Sequence, residues 1–399
     1  MTSSKSQPDL RFPEFKSDWE EIRVGPYIDE FRGRSRDHDE YPVLTSSNRG
    51  LMIQEEYYGQ NRITEKDNAG FNIIPPGYIT YRSRSDNRTF TFNINDLGIT
   101  GLISIYYPVF SIKNGSNRFF VEYFNSRQHY LGKYSVGTSQ QVLSLNELRE
   151  IKLRIPEQAE QHKIAAFLSA VDEKIGQLIR KKRLLLKYKK GVTQQIFNQK
   201  IRFKDDNGNE FPDWRTTTLG EISQNVMYGM NSAAAPYDGE NGYIRITDID
   251  EEGQFVPSPM TTPSGNLDDR YRVRTGDILF ARTGATVGKS YYYSESDGRL
   301  FFAGFLIRFS IIEGNPFFIY LQTQIHSYDK WVQKISMRSG QPGINAEEFK
   351  SLEIRLPCFP EQNKIANFVL SLNKKINMVD RRLKIAEAFK KALLQQMFV

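Results

Sequence analysis

The sequence predicts an α+β protein: two mixed α/β bodies separated by two long helices, which pair as an antiparallel intramolecular coiled coil with pseudo-twofold symmetry. Three observations predict it. The segment from Pro156 to Phe197 returns from Pro357 to Phe398 at a constant shift of 201 residues, without a gap and with 15 identities in 42 positions. Both copies space their apolar residues by threes and fours and carry no proline beyond their opening residues, as long helices require. The segments ahead of each copy instead carry short apolar runs broken by glycine, proline and asparagine, which read as strands and turns.

Taken in order, the first body occupies residues 1–155, and its Asn117 to Tyr134 segment reads as a helix. The first long helix takes residues 156–200. Its seam is Ile164, Leu168, Val171, Ile175, Leu178, Leu185, Tyr188, Val192 and Ile196, a heptad pattern with a gap at Lys182. The second body, residues 201–356, opens on the polar, turn-rich stretch from Phe203 to Trp214. Tyr291 to Ser294 and Arg299 to Ile312 read as strands, and Phe317 to Ile335, following Asn315-Pro316, as a helix. The second long helix takes residues 357–399, with its seam at Ile365, Val369, Leu372, Ile376, Val379, Leu383, Ala386, Phe389, Leu393 and Met397. A helix of about 38 residues is roughly 57 Å long. An apolar stripe of that length needs a partner of equal length, and the repeated copy supplies one.

The bodies are related more weakly. Phe12-Pro13 and Trp19 match Phe211-Pro212 and Trp214. Gly77 to Tyr81 resembles Gly276 to Phe280, and Ser135 to Pro156 matches Ser336 to Pro357.

The chain has 399 residues and a net charge of +7, unevenly spread. The bodies carry +1 and −5, the helices +6 and +5. A basic helix is either a solvated face or a surface that meets a polyanion. No run of 18 apolar residues exists to cross a membrane, the N-terminus lacks an apolar signal region, and Cys358 is the only cysteine. A reducing, cytoplasmic setting is expected, with no disulfide and no cysteine-based metal cluster.

Catalytic motifs are missing where they would be expected. Gly284 to Ser290 imitates a phosphate-binding loop but has three residues between Gly284 and Gly288, where that loop needs four; it reads as a glycine-rich turn. Pro75-Pro76-Gly77-Tyr78 and Asn315-Pro316-Phe317-Phe318 do not fit the motif that holds an adenine amino group for methylation. His38, His129, His162 and His326 are scattered without metal-ligand spacing. Glu150-Ile151-Lys152 lacks an acidic partner for nuclease chemistry and reads as a strand edge, and no serine elbow is present.

Recognition remains. Arginine pairs with guanine through two hydrogen bonds, asparagine and glutamine with adenine, and lysine with phosphate. Candidate contacts are Arg32, Arg34, Arg36, Arg82, Arg84, Asn87, Arg88, Gln140 and Gln141 in the first body. In the second they are Arg272, Arg274, Arg282, Lys289, Arg338 and Gln341. The run from Tyr81 to Arg88 is the densest candidate for a base-reading loop; its plain alternative is a solvated hairpin.

Over essentially its whole length the chain resembles the specificity subunit of a type I restriction-modification system. The resemblance is carried by Pro8 to Pro13 with Trp19, the Phe211 to Trp214 restart, the Gly276 to Arg282 stretch through Gly288-Lys289, and the paired Glu-Gln-x-Lys-Ile-Ala helix openings at Glu160 and Glu361. It implies that each body is a target recognition domain reading one half of a split double-stranded DNA site. The two helices would set the gap and dock two methyltransferase subunits, and through them restriction subunits. S-adenosylmethionine, ATP and Mg would belong to those partners, with no cofactor and no catalytic residue on this chain. The alternatives are a stand-alone DNA methyltransferase or nuclease, and a coiled-coil adaptor without base readout.

Overall fold

A computed structural model of the chain describes residues 7–47, 50–58, 68–337 and 342–398. It divides into two compact units, residues 1–179 with 381–399, and residues 180–380. The long helices run Gln158–Phe197 and Phe359–Met397. Each is divided between the two units.

In the first unit, an antiparallel sheet runs in the order Ile28–Glu30, Val109–Ile112, Ile79–Tyr81, Phe92–Ile94. The helix Asn117–Ser126 buries Phe119, Phe120, Val121, Tyr123 and Phe124. Tyr81 stacks on Phe92 with ring centroids 4.4 Å apart, and burial pushes its phenol pKa far up. Each such aromatic contributes roughly 2–3 kcal/mol by leaving water. The second unit repeats the plan, with Ser223–Tyr228, Leu306–Ile311, Asp277–Ala281 and Ser290–Tyr292 in the same relative order. In both, a two-stranded ribbon closes the body just before the long helix: Glu20–Arg23 with Lys152–Ile155, and Arg215–Thr218 with Glu353–Leu356.

The end of each long helix plugs a core. Leu393, Met397 and Phe398 join the first unit's core, where Phe398 stacks on Tyr123 at 5.0 Å. Ile196 and Phe197 join the second unit's core, where Phe197 meets Phe318 at 5.3 Å. Within each unit the two helices run antiparallel. In the first unit, Asp172 pairs with Lys390 at 2.7 Å; in the second, Lys182 pairs with Asp380. The seam's gap at Lys182 is the site of that ion pair.

The Glu-Gln openings are joints. Gln161 donates to Pro156 O at 2.9 Å and accepts from the N–H of Ser116, the cap of the body's helix. Gln362 does the same with Pro357 O at 2.8 Å and the N–H of Asn315, also a helix cap. Glu160 and Glu361 are fully buried and each is gripped by an arginine, Arg11 or Arg202.

Three expectations need correction. Tyr188 and Phe389, equivalent positions of the two copies, are 54% and 51% exposed and lie off the seam. Lys189 and Lys390 take their place, because the run advances by four from Leu185 and from Ala386. The expected helices are broken. Asn117–Ser126 stops at Arg127, and Pro316–Leu321 is followed by a tight turn before His326–Ser336. The Arg299 to Ile312 run is two strands, Arg299–Phe302 and Leu306–Ile311, separated by a turn at residues 303–305.

Candidate nucleic-acid interface

In the first unit, the Ile79–Tyr81 strand continues through residues whose side chains alternate. Tyr81, Ser83 and Ser85 are buried, while Arg82 and Arg84 face out. Arg84–Ser85 pairs with Gln141–Val142, which places the exposed Gln140 beside this edge. The following turn is held by its own side chains. The Asn87 side-chain oxygen accepts from Ser85 Oγ at 2.8 Å and from the Thr89 N–H at 3.2 Å, and Arg88 adopts a left-handed backbone with φ 60°. Leu44–Ser47 and Gly50–Ile53 form the facing wall. Asn93 ties that wall to the sheet through Ser46 Oγ at 2.7 Å and Ser47 O at 3.0 Å. The result is a broad polar cleft with the Arg82 and Arg84 guanidinium groups on one side.

The guanidinium of Arg84 lies 4.3 Å from the ring centroid of Tyr106, itself 53% exposed. Ser83 Oγ donates to Tyr106 O at 2.6 Å and fixes that turn against the strand. In the second unit the corresponding cleft lies among Tyr228, Met230, Tyr243, Arg282 and Phe305. Arg282 sits 4.8 Å from the Tyr228 ring and 5.9 Å from the Phe305 ring, and Phe305 is 55% exposed. The Arg282 N–H donates to Phe305 O at 3.0 Å, and Ile344 donates to Arg282 O at 2.8 Å. This matches Leu143, which donates to Ser83 O at 2.9 Å.

The structure separates the remaining candidates. Arg32 is bound to Glu30 at 3.0 Å, and that hydrogen bond holds the Glu30 carboxyl below its usual range. Arg34 donates to Gly70 O at 3.0 Å, while Arg36 is exposed. Gln141 is buried, donates to Gly137 O at 2.6 Å and accepts from Ser135 Oγ at 3.1 Å, so its amide serves the turn rather than the surface. Arg272 and Arg274 share Asp269, at 3.9 and 2.5 Å. Lys289 pairs with Glu251 at 2.7 Å, which makes the glycine-rich string a turn with a neutralised lysine. Glu150 and Lys152 pair across the ribbon with Arg23 and Glu21. Arg338 and Gln341 fall outside the described residues.

Sequence reasoning missed Tyr106, Tyr228 and Phe305. Phe305 was hidden inside an apparently continuous strand, and only the turn that breaks that strand turns its ring outward. The available signal was positional: Tyr106 and Phe305 stand 199 residues apart, the shift that relates Gly77 to Gly276.

Among the described residues no group of His, Cys, Asp and Glu has the geometry to hold a metal ion, and no helix is long and apolar enough to cross a membrane.

Two copies of one fold, each with an arginine-bearing cleft and joined to a repeated helix, define a two-domain specificity protein. The chain belongs to the type I restriction modification DNA specificity domain family, whose model matches twice, at residues 18–188 and 212–387. It is 22% identical over 425 residues to the Type I restriction enzyme MjaVIII specificity subunit of Methanocaldococcus jannaschii, covering 97% of this chain and 92% of that one. It is 25% identical over 283 residues to the putative MjaX specificity subunit of the same organism, covering 66% and 62%. Among solved structures, the type I restriction-modification S subunit from M. genitalium matches with a TM-score of 0.63 at 16% identity, over 98% of this chain and 99% of that one. A chain from a structure describing assembly and conformational transition of the type I system matches with a TM-score of 0.52 at 17% identity, over 95% and 96%. Membership of this family makes the chain a DNA-recognition subunit.

Proposed function

We propose that this chain reads a bipartite DNA site, one half per body, and docks two methyltransferase subunits on its helices. Restriction subunits join through those partners. Methyl transfer from S-adenosylmethionine and ATP- and Mg-dependent cleavage belong to the partners, and the complex works in the cytoplasm. The observation that carries the bipartite reading is the pair of clefts. The same sheet, ribbon and joint recur in both units, while the cleft side chains differ: hydroxyl-rich around Arg84, largely apolar around Arg282.

Two equal docking sites are supported by an exposed pair of apolar residues that recurs on both long helices. Leu184 and Tyr188 lie one turn apart on one helix, and Ile385 and Phe389 occupy the equivalent positions on the other. All four are exposed. A repeated aliphatic-aromatic pair on a helix face is a fitting anchor for a protein partner, and two copies fit two identical partners.

Exchanging the first body, up to residue 155, for that of a relative with another target tests the reading. Methylation mapping of the assembled complex is expected to show one half-site changed and the other retained. A change in both halves, or in neither, contradicts modular readout. Methyl transfer to DNA by the purified chain alone, from labelled S-adenosylmethionine, would instead favour a stand-alone enzyme.

A further inference from the structure

We infer that the Arg84–Tyr106 and Arg282–Phe305 pairs are the guanine-reading elements of the two bodies. Each would hydrogen-bond through a stacked guanidinium to O6 and N7 of one guanine in its own half-site. The inference rests on the reading of both bodies as DNA-binding and adds which residues discriminate and which base they require.

Three observations carry it. First, the aromatic residues are equivalent: Tyr106 and Phe305 each sit in the turn before the sheet strand Val109–Ile112 or Leu306–Ile311. Each is fastened by its carbonyl to the opposite edge, Tyr106 by Ser83 and Phe305 by Arg282. The arginines come from neighbouring register positions, yet both bodies bring a guanidinium over that ring, at 4.3 Å for Arg84 and 5.9 Å for Arg282, which also lies 4.8 Å from the Tyr228 ring. A feature rebuilt from different positions on one scaffold points to the role of the group.

Second, neither guanidinium group has a carboxylate partner among the described residues, and each lies in its cleft over an exposed ring. Arg270 and Arg299 also lie over rings but are held by Asp268 and Glu240. Arg308 is turned inward onto the carbonyls of Arg270 and Arg272. Arg355 lies over Trp214 on the strand leading into the second long helix, outside the cleft.

Third, the geometry suits the task. An aromatic face holds a planar guanidinium without consuming its N–H groups, and leaves the edge of the fork directed outward. Guanine is the base that presents two acceptors side by side in the major groove, and the Arg–guanine fork is the commonest specific contact. A stacked arginine also sacrifices less side-chain freedom on binding than a free one.

The test uses the complete complex with its methyltransferase subunits, on a library randomised through both half-sites, read by methylation mapping. Arg84→Ala is expected to relax one guanine position of one half-site by about 10- to 100-fold in discrimination and to leave the other half intact. Arg282→Ala should do the same in the other half. Arg84→Lys keeps the charge and loses the fork, so it should relax the same position as Arg84→Ala. Replacing that guanine by 7-deazaguanine should weaken binding by the wild-type complex and leave the Arg84→Ala complex unaffected. Tyr106→Leu, which removes the ring and spares the arginine, should lower discrimination at the same base by a smaller factor. Uniformly weaker methylation with both half-sites unchanged would mean phosphate contacts and overturn the inference. So would an unaltered target in both arginine variants. A wild-type complex methylating without sequence preference would overturn the DNA-reading assignment itself, and the inference with it.

Discussion

Arg11 grips Glu160 through two hydrogen bonds, Nε to Oε1 at 2.8 Å and Nη2 to Oε2 at 2.7 Å, with the carboxylate fully buried. Arg202 and Glu361 repeat this fork at 3.2 and 2.8 Å. Glu361 accepts a third bond, from Trp214 Nε1 at 3.2 Å, whereas the Trp19 Nε1 of the first unit is buried without a hydrogen-bond partner among the described residues. In each unit the fork ties the chain entering the body to the opening of a long helix. Removing one member of a buried pair leaves the other uncompensated and costs about 3–5 kcal/mol. Glu160→Gln and Glu361→Gln should both destabilise, and Glu361→Gln more, because it also weakens the indole contact. Denaturant unfolding of the two variants measures this. Equal losses, or none, would contradict the ranking.

The repeated lysines of the seam should respond in opposite ways. Lys390 is held by Asp172 at 2.7 Å and Glu122 at 3.4 Å. Its counterpart Lys189 is desolvated, which lowers its pKa, while Glu252 and Asp250 act only weakly in the other direction. Lys390→Met should therefore lower stability, by about 1–3 kcal/mol for two carboxylates left to Arg118 alone, and Lys189→Met should raise the melting temperature. Melting curves of the two variants compare them.

Lys189 also gives a pH signature. Its folded pKa lies below the ordinary lysine value of about 10.4. Between the two, the unfolded chain binds more protons, so this group's contribution to stability rises with pH across that window. Unfolding measured through the alkaline limb should show a shallower rise in Lys189→Met than in the wild type. An unchanged slope would mean that the lysine is not desolvated.

Partner docking can be counted. Tyr188→Asp should remove one methyltransferase subunit from the complex, Phe389→Asp the other, and the double variant both, each at a cost of about 2 kcal/mol or more for an anchor residue. Native mass spectrometry reads the stoichiometry, and the unchanged circular dichroism of exposed-site variants confirms folding. A single substitution that releases both partners, or neither, would exclude two equivalent sites.

Period and repetition are properties of the chain itself. The 201-residue repeat, the three-and-four spacing of Ile164 to Leu178 and of Ile365 to Val379, and the glutamates opening each helix were legible because helical faces follow from local geometry. The phase beyond Lys182 was not: whether Tyr188 or Lys189 faces inward depends on where the ion pair with Asp380 sets the partner helix. The arginine clusters were equally visible. Only the fold shows that Arg272 and Arg274 share the carboxylate of Asp269, that Gln141 is consumed inside its turn, and that Arg84 and Arg282 lie on exposed rings. The sequence by itself determined two bodies on a duplicated, basic helical scaffold, since periodicity and composition act within one segment. The tertiary structure decided which guanidinium groups remain available, since pairing of charges and stacking on rings join residues from separate segments, at distances that spacing along the chain does not encode.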